Sequence, residues 1–275
     1  MKTIAGKLTL VGGGRMGRAL VEGMIRAGVI ESTRVTVINR TAESCQVWTE
    51  SKLGVCVEQA DPATLKAAVE SAETVIVAVK PGTFPSVAES AAGAWAGRLV
   101  ISVAAGVKLA TLQKIFDSKS VVRVMPNTPS LVGFGASAFS CGPKVSEAQA
   151  KTVEQILAAV GVVAQVEESA LDAVTGLSGS GPAYIFMIIE ALADGGVAAG
   201  LPRALAQQFA AQTVLGAAQM VTQTGDHPAL LKDAVASPGG TTIAGLAALE
   251  QNGLRSAMIE AVRTAAARSR EMGNS

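Results

Sequence analysis

Along the first half of the chain, short runs of branched apolar residues alternate with stretches in which apolar positions recur at helical spacing. The runs Leu8–Val11, Val35–Ile38, Thr74–Val79, Leu99–Val103, Val121–Met125 and Ala136–Phe139 predict strands. They are nearly continuous in Val, Ile and Leu rather than alternating with polar residues, the pattern of strands buried on both faces of a parallel sheet. Gly17–Ala27 and Pro62–Ser71 predict helices between them. The expectation is an α/β domain built on a doubly wound, mostly parallel sheet.

From Ser146 the pattern changes. Ser146 and Gln149 stand at capping-box spacing, Val153, Ile156, Leu157 and Val160 follow on one helical face, and Gly161 sits at the stop. After a short Val162–Val166 run the chain reads as helix to its end. Its punctuation is Ser178-Gly179-Ser180-Gly181 before Pro182, Gly200 before Pro202, Asp226 and His227 before Pro228, and Asn252-Gly253. A length of 275 residues favours two domains, and the change of pattern places them at 1–165 and 166–275. The helical part is rich in Ala and Gly and poor in large core residues, so it is expected to pack against a second copy of itself.

Composition narrows the partners. Lys plus Arg number 23 against 22 for Asp plus Glu, with no basic block, which argues against nucleic acid. Aromatic residues, at 3%, are too sparse for base stacking. The most apolar stretch, Ala183–Ala199, is broken by Glu190, Asp194 and Gly195-Gly196, so no membrane span is expected. Lys2 and Lys7 precede only Leu8-Thr9-Leu10-Val11, too short for the apolar region of a signal peptide. Cys45, Cys56 and Cys141 show neither metal-ligand nor C-x-x-C spacing, which reads as a reduced, metal-free, cytoplasmic protein.

Two segments carry candidate chemistry. The first strand runs into Gly12-Gly13-Gly14-Arg15-Met16-Gly17 and then a helix. This G-x-G-x-x-G follows a strand and opens a helix, the context of a Rossmann-type dinucleotide site. Gly12 serves the tight turn, Gly14 the approach of a pyrophosphate, and Gly17 close helix–strand packing. The second strand ends in Asn39-Arg40-Thr41 instead of an acid, which favours NADP over NAD, unless Arg40 is simply a solvated arginine. Further strand ends, Ala78-Val79-Lys80-Pro81, Ala104-Ala105-Gly106 and Asn127, should line the same edge. Lys80 reads as a cofactor or scaffold contact more readily than as a catalyst. Asn127 either reaches the nicotinamide or closes an ordinary turn. The second segment, Ser237-Pro238-Gly239-Gly240-Thr241-Thr242, reads either as a helix–helix connection or as an anion site: N–H groups at a helix start beside two hydroxyls, with a threonine as cap.

The Gly12–Gly17 motif, the Ala78–Pro81 and Met125–Pro129 strand ends, Leu177-Ser178-Gly179-Ser180-Gly181-Pro182-Ala183-Tyr184, and Ser237–Thr242 with Ile243, Gly245-Leu246 and Leu249-Glu250 occur in one order. Together they closely resemble the pyrroline-5-carboxylate reductases over nearly the whole chain. The resemblance implies NAD(P)H-dependent reduction of a cyclic imine carboxylate to L-proline, and the Asn39-Arg40-Thr41 strand end favours NADPH as the donor. It also implies a homodimer interleaved through its helical domains, five dimers forming a decamer in many members. Carried over by position, the active site lies where the crevice of one subunit meets the Ser237–Thr242 turn of its partner. Ser237, Gly239, Gly240 and Thr241 contact substrate, the Thr242 hydroxyl reaches the ring nitrogen, and Glu168 matches a further substrate contact. Many members carry Asn where Ala234 stands here, and that Asn contacts the cofactor. Two other readings are a related imine or β-hydroxyacid reductase and a non-catalytic NADP-binding assembly protein. The first meets no catalytic lysine in Gly181–Phe186, and the second leaves the Thr241–Thr242 hydroxyls without a use.

Overall fold

The computed structural model describes residues 3–273. Its strands are β1 Leu8–Val11, β2 Val35–Asn39, β3 Cys56–Gln59, β4 Thr74–Val77, β5 Leu99–Ser102, β6 Val121–Met125, β7 Gly135–Cys141 and β8 Gly161–Gln165. They form one sheet in the order β3-β2-β1-β4-β5-β6-β7-β8. Every neighbouring pair is parallel except β6 with β7. Leu10 lies between Val37 and Ile76, so the apolar runs stack across the sheet in register.

The interleaved helices are α1 Arg15–Arg26, α2 Ala42–Glu50, α3 Pro62–Ser71, α4 Phe84–Ser90, α5 Leu109–Ile115 and α6 Glu147–Ala158. Because strand side chains alternate, consecutive apolar residues serve opposite cores. Leu10, Val37, Ile76 and Val122 pack with Leu20, Met24, Trp48, Ile156 and Leu157 on one face. Val11, Ile38, Val75 and Val121 pack with Val69, Phe84, Trp95 and Phe116 on the other.

Local signals set the helix starts. Asp61 caps α3 by accepting from Ala63 N at 2.9 Å and Thr64 N at 3.0 Å, with Pro62 in the first turn. Ser146 and Gln149 close the expected capping box of α6 at 3.2 and 3.0 Å. The strand that pattern reading passes over is β3. Its Cys-Val-Glu-Gln sequence is half polar because it is an edge strand, paired to β2 alone.

The described residues form two compact units, 3–180 with 264–273, and 181–263. The first unit carries the sheet and also holds α7 Leu171–Val174, a π turn at Thr175–Gly179, and the end of the last helix. The second comprises α8 Gly181–Ala198, α9 Arg203–Thr224, α10 Pro228–Ala234, α11 Thr241–Gln251 and the first part of α12 Leu254–Met272. Helices α8 and α9 meet at Ala193, Ala206 and Ala210, flanked by Ile189 and Val197. Gly196 allows that approach, since a Cβ there would lie 3.1 Å from the Ala206 Cβ. Phe186, Met187, Phe209, Leu230 and Ile259 remain exposed. By length and composition the helical run Glu168–Ala198 is long and apolar enough to cross a membrane, although the π turn at Thr175–Gly179 interrupts it.

Candidate active site

Since β3 through β6 are parallel, β1, β2, β4, β5 and β6 all end at one edge of the sheet. Strand order reverses between β1 and β4, and ligands of such sheets bind in the crevice outside that point. The Gly-rich turn lies there. Gly12 has φ +93°, and a Cβ on it would come within 2.5 Å of Val79 Cγ1. A Cβ on Gly17 would lie 2.7 Å from Gly12 O and 3.0 Å from Leu10 Cδ1. Gly14 differs: it is exposed, and a Cβ there would meet nothing within 4 Å. The first backbone bond of α1 runs from Arg18 N to Gly14 O, so the N–H groups of Gly14, Arg15 and Met16 make no hydrogen bond among the described residues. Open space before free donors at a helix start fits a pyrophosphate.

The other expected cofactor residues divide into two kinds. Asn39 is buried and works inside the turn, its Oδ1 accepting from Gly13 N at 2.7 Å and its Nδ2 donating to Ser44 O at 3.1 Å. Thr41 caps α2 by accepting from Ser44 N at 3.3 Å. Arg40 is exposed, and no described residue pairs with its guanidinium. Of the three, Arg40 is the one free to meet a phosphate. Ala78 and Val79 back the Gly12 turn. Lys80 is exposed, and its carbonyl accepts from Thr83 N and Oγ1 at 2.9 and 2.8 Å, starting the turn that Pro81 enters. Ala104 is buried, Ala105 exposed, and Gly106 left-handed at φ +74°. Asn127 is buried, its Oδ1 accepting from Ala136 N at 2.9 Å and its Nδ2 donating to Ser178 O at 3.0 Å. Its amide braces the turn after β6.

Glu168 has a structural engagement that no motif announced. Its Oε1 accepts from Leu109 N at 2.7 Å and from Arg123 Nη1 at 3.2 Å. Arg123 Nη2 lies 3.6 Å from Asp172 Oδ1, which also accepts from Ser269 Oγ at 2.7 Å. This network ties β6, the start of α5, α7 and the end of α12 within the sheet unit. Its signal was an arginine inside the apolar run Val121-Val122-Arg123-Val124-Met125, since a buried cation demands partners. Trp48 likewise went unmarked. It is the one buried residue of α2, and its Nε1 donates to Gly13 O at 2.9 Å.

In the helical unit, the Ser237–Thr242 segment forms a turn closed by Gly240 N to Ser237 O at 3.1 Å, with Gly239 left-handed at φ +66°. The cap of α11 is Gly240 and not a threonine; Thr241 is already the first helical residue, and no side chain caps this end. The consequence is chemical. The hydroxyls of Thr241 and Thr242 and their N–H groups make no hydrogen bond among the described residues. Thr241 is exposed and Thr242 half-buried. His227, by contrast, caps α10 by accepting from Ala229 N at 3.2 Å.

Two family models match parts of the chain. Residues 168–272 match the family model described as pyrroline-5-carboxylate reductase dimerisation. Residues 7–106 match one described as NADP oxidoreductase coenzyme F420-dependent. A pyrroline-5-carboxylate reductase of Arabidopsis thaliana is 45% identical over 271 residues, 98% of this chain and 96% of its own. The crystal structure of pyrroline-5-carboxylate reductase from Coxiella burnetii superposes with a TM-score of 0.88 at 36% identity, covering 98% of this chain and 99% of that one. The Plasmodium falciparum pyrroline carboxylate reductase, solved with NADP bound, gives 0.86 at 30% identity over 99% and 100% of the two chains. An exposed-donor Gly-rich turn, a helical oligomerisation domain and similarity along the full length converge: this chain belongs to the pyrroline-5-carboxylate reductase family.

Proposed function

We propose that this protein reduces pyrroline-5-carboxylate to L-proline with NADPH as preferred donor, and that Thr242 is its catalytic residue. The observation that carries the assignment is the uncapped start of α11, where two hydroxyls and adjacent N–H groups are uncommitted. Reduction of a cyclic imine adds a hydride to carbon and a proton to nitrogen. It needs alignment and a hydrogen-bonding group at nitrogen, and no activated nucleophile. The bound cofactor supplies the hydride. The N–H groups of Thr241 and Thr242, left open by the turn at Gly239 and Gly240, hold the substrate carboxylate, with the Ser237 and Thr241 side chains beside them. The Thr242 hydroxyl orients the imine nitrogen and relays its proton.

Gly14, Arg15 and Met16 would hold the pyrophosphate by their N–H groups, and Arg40 the 2′-phosphate that distinguishes NADP. Gly12, Gly13, Gly17, Asn39, Thr41, Ala78, Val79, Lys80, Pro81, Ala104, Ala105, Gly106 and Asn127 shape the edge around it. We assign Glu168 to the network with Arg123 rather than to substrate, because its bonded oxygen is already used by Leu109 N and Arg123.

The functional division at 166, a dimer whose helical domains interleave, its further assembly into a decamer, and a cytoplasmic setting belong to the same reading. It is supported by the exposed apolar side chains of the helical unit and by three free cysteines. The crevice of one subunit is then completed by the Ser237–Thr242 turn of another. The test is to mix purified protein, NADPH and the imine and follow absorbance. Oxidation of NADPH matched by formation of proline is expected, and its absence refutes the assignment. Mixing Thr242→Ala subunits with Gly14→Pro subunits tests sharing between subunits: partial recovery of activity is expected, and none would place each site within one chain.

A further inference from the structure

We propose that Trp48 is a positioning residue for the cofactor's pyrophosphate, its indole N–H holding the Gly13 carbonyl so that the Gly14 N–H faces the ligand. This rests on the NADP-binding role given to the Gly-rich turn and names a residue through which that role is executed. Trp48 is 1% exposed and donates from Nε1 to Gly13 O at 2.9 Å. From the end of β2, Asn39 Oδ1 accepts from Gly13 N at 2.7 Å. Two side chains thus engage both backbone polar groups of one glycine, and a Cβ on Gly13 would collide with Trp48 Nε1.

The consequence lies one atom further along. In a trans peptide the carbonyl and the following N–H point in opposite directions. With the Gly13 carbonyl drawn inward to Trp48, the Gly14 N–H is turned outward. Gly14 is exposed, its N–H has no partner among the described residues, and a Cβ there would meet nothing within 4 Å. The peptide between two glycines has little intrinsic preference for that orientation. A buried indole N–H needs an acceptor, so Trp48 selects one orientation before the ligand arrives. Pre-set donors raise affinity by removing the cost of ordering them on binding.

Trp48→Phe keeps a buried ring and deletes the N–H. Dissociation of NADPH and of adenosine 2′-monophosphate, which lacks the pyrophosphate, is measured for wild type, Trp48→Phe and Trp95→Phe. The last variant loses an equivalent buried indole bond, to Ala88 O at 3.0 Å. Trp48→Phe should bind NADPH between about twofold and about tenfold more weakly. Its turnover at saturating NADPH, its KM for the imine and its affinity for adenosine 2′-monophosphate should not change. Trp95→Phe should match wild type in all four. In a Gly14→Pro background, where the aimed N–H is gone and φ of −70° suits proline, Trp48→Phe should add nothing further. Equal NADPH affinity of Trp48→Phe and wild type, equal weakening of both ligands, or additive losses in the double variant would each overturn the proposal. Failure of wild type to bind NADPH would instead refute the cofactor reading. Should Trp48→Phe not fold, the nitrogen-labelled indole resonance of Trp48 in Trp95→Phe protein decides. It should move on adding NADP and not on adding adenosine 2′-monophosphate, and an unmoved resonance overturns the proposal.

Discussion

Arg123→Met isolates the charge network beneath the β5 and β6 ends. The guanidinium is 6% exposed and faces the carboxylates of Glu168 at 3.2 Å and Asp172 at 3.6 Å, whose side chains are 33% and 19% exposed. Methionine fills similar volume and deletes the cation. Two carboxylates then remain in a partly desolvated pocket, still accepting from Leu109 N and Ser269 Oγ. Removing one partner of a buried pair costs about 3–5 kcal/mol. Partial exposure of both acids places this case at the lower end, about 3 kcal/mol. A unit of this size loses about 2–4 °C of Tm per kcal/mol, so a fall of roughly 6–12 °C is expected. Calorimetry at matched protein concentration measures it, because linked association also moves Tm. Adding Glu168→Gln and Asp172→Asn to Arg123→Met should recover most of the loss, since neutral amides still accept from Leu109 and Ser269. A single variant within about 0.5 kcal/mol of wild type would refute the reasoning, as would a triple variant no more stable than the single.

Three further outcomes follow from other observations. Thr242→Ala should lower turnover about 10²-fold while leaving NADPH dissociation unchanged, and unaltered turnover would remove its catalytic role. Arg40→Ser should raise KM for NADPH about 10–100-fold and leave KM for NADH unchanged; parallel changes would return Arg40 to the solvated surface. The Asp61 carboxyl is held below its ordinary value of 3.8, first by the Thr64 hydroxyl and then by backbone N–H groups of Thr64 and Ala63. A lowered folded value means that the stabilisation is complete above the unfolded value and is lost as pH falls through the folded one. The gap in urea midpoint between wild type and Asp61→Ala should therefore be constant near neutrality and shrink on acidification below about pH 4. A gap unchanged at low pH would count against the cap.

The sheet unit was legible because the surfaces that bury its strands belong to the same stretch of chain. Val75, Ile76 and Val77 are apolar in succession since helices cover both faces, so their pattern states their environment. The Gly12 and Gly17 roles were readable for a similar reason: each follows from backbone geometry within a few residues. What stayed hidden depends on contacts distant in sequence. Trp48 meets Gly13 across 35 positions, Arg123 meets Glu168 across 45, and Ser269 meets Asp172 across 97. Spacing carries no trace of such pairs, and only the oddity of a tryptophan in a polar helix or an arginine in an apolar strand marks them. Asn127 shows the converse: a strand-end asparagine suits a ligand contact or a turn alike, and only the structure shows its amide bonded to Ala136 N and Ser178 O.

The helical unit resists pattern reading for another reason. Tyr184-Ile185-Phe186-Met187-Ile188-Ile189 places six large residues in succession around α8. A helix apolar on all sides belongs where every side is covered. Within one chain, Ala193 is the one buried residue of α8, while Phe186 and Met187 stay 64% and 65% exposed. The match of this stretch to a dimerisation family model points to a second subunit as the cover. The same physics bears on Thr242. A hydroxyl committed to capping α11 would be spent on local structure, whereas Gly240 at the cap leaves it free. The unit therefore leaves two things open in a single chain: an apolar surface that suits burial by another subunit, and a polar turn that the proposed function gives to the substrate. Both omissions look like defects of folding in an isolated chain and become functional once association is included.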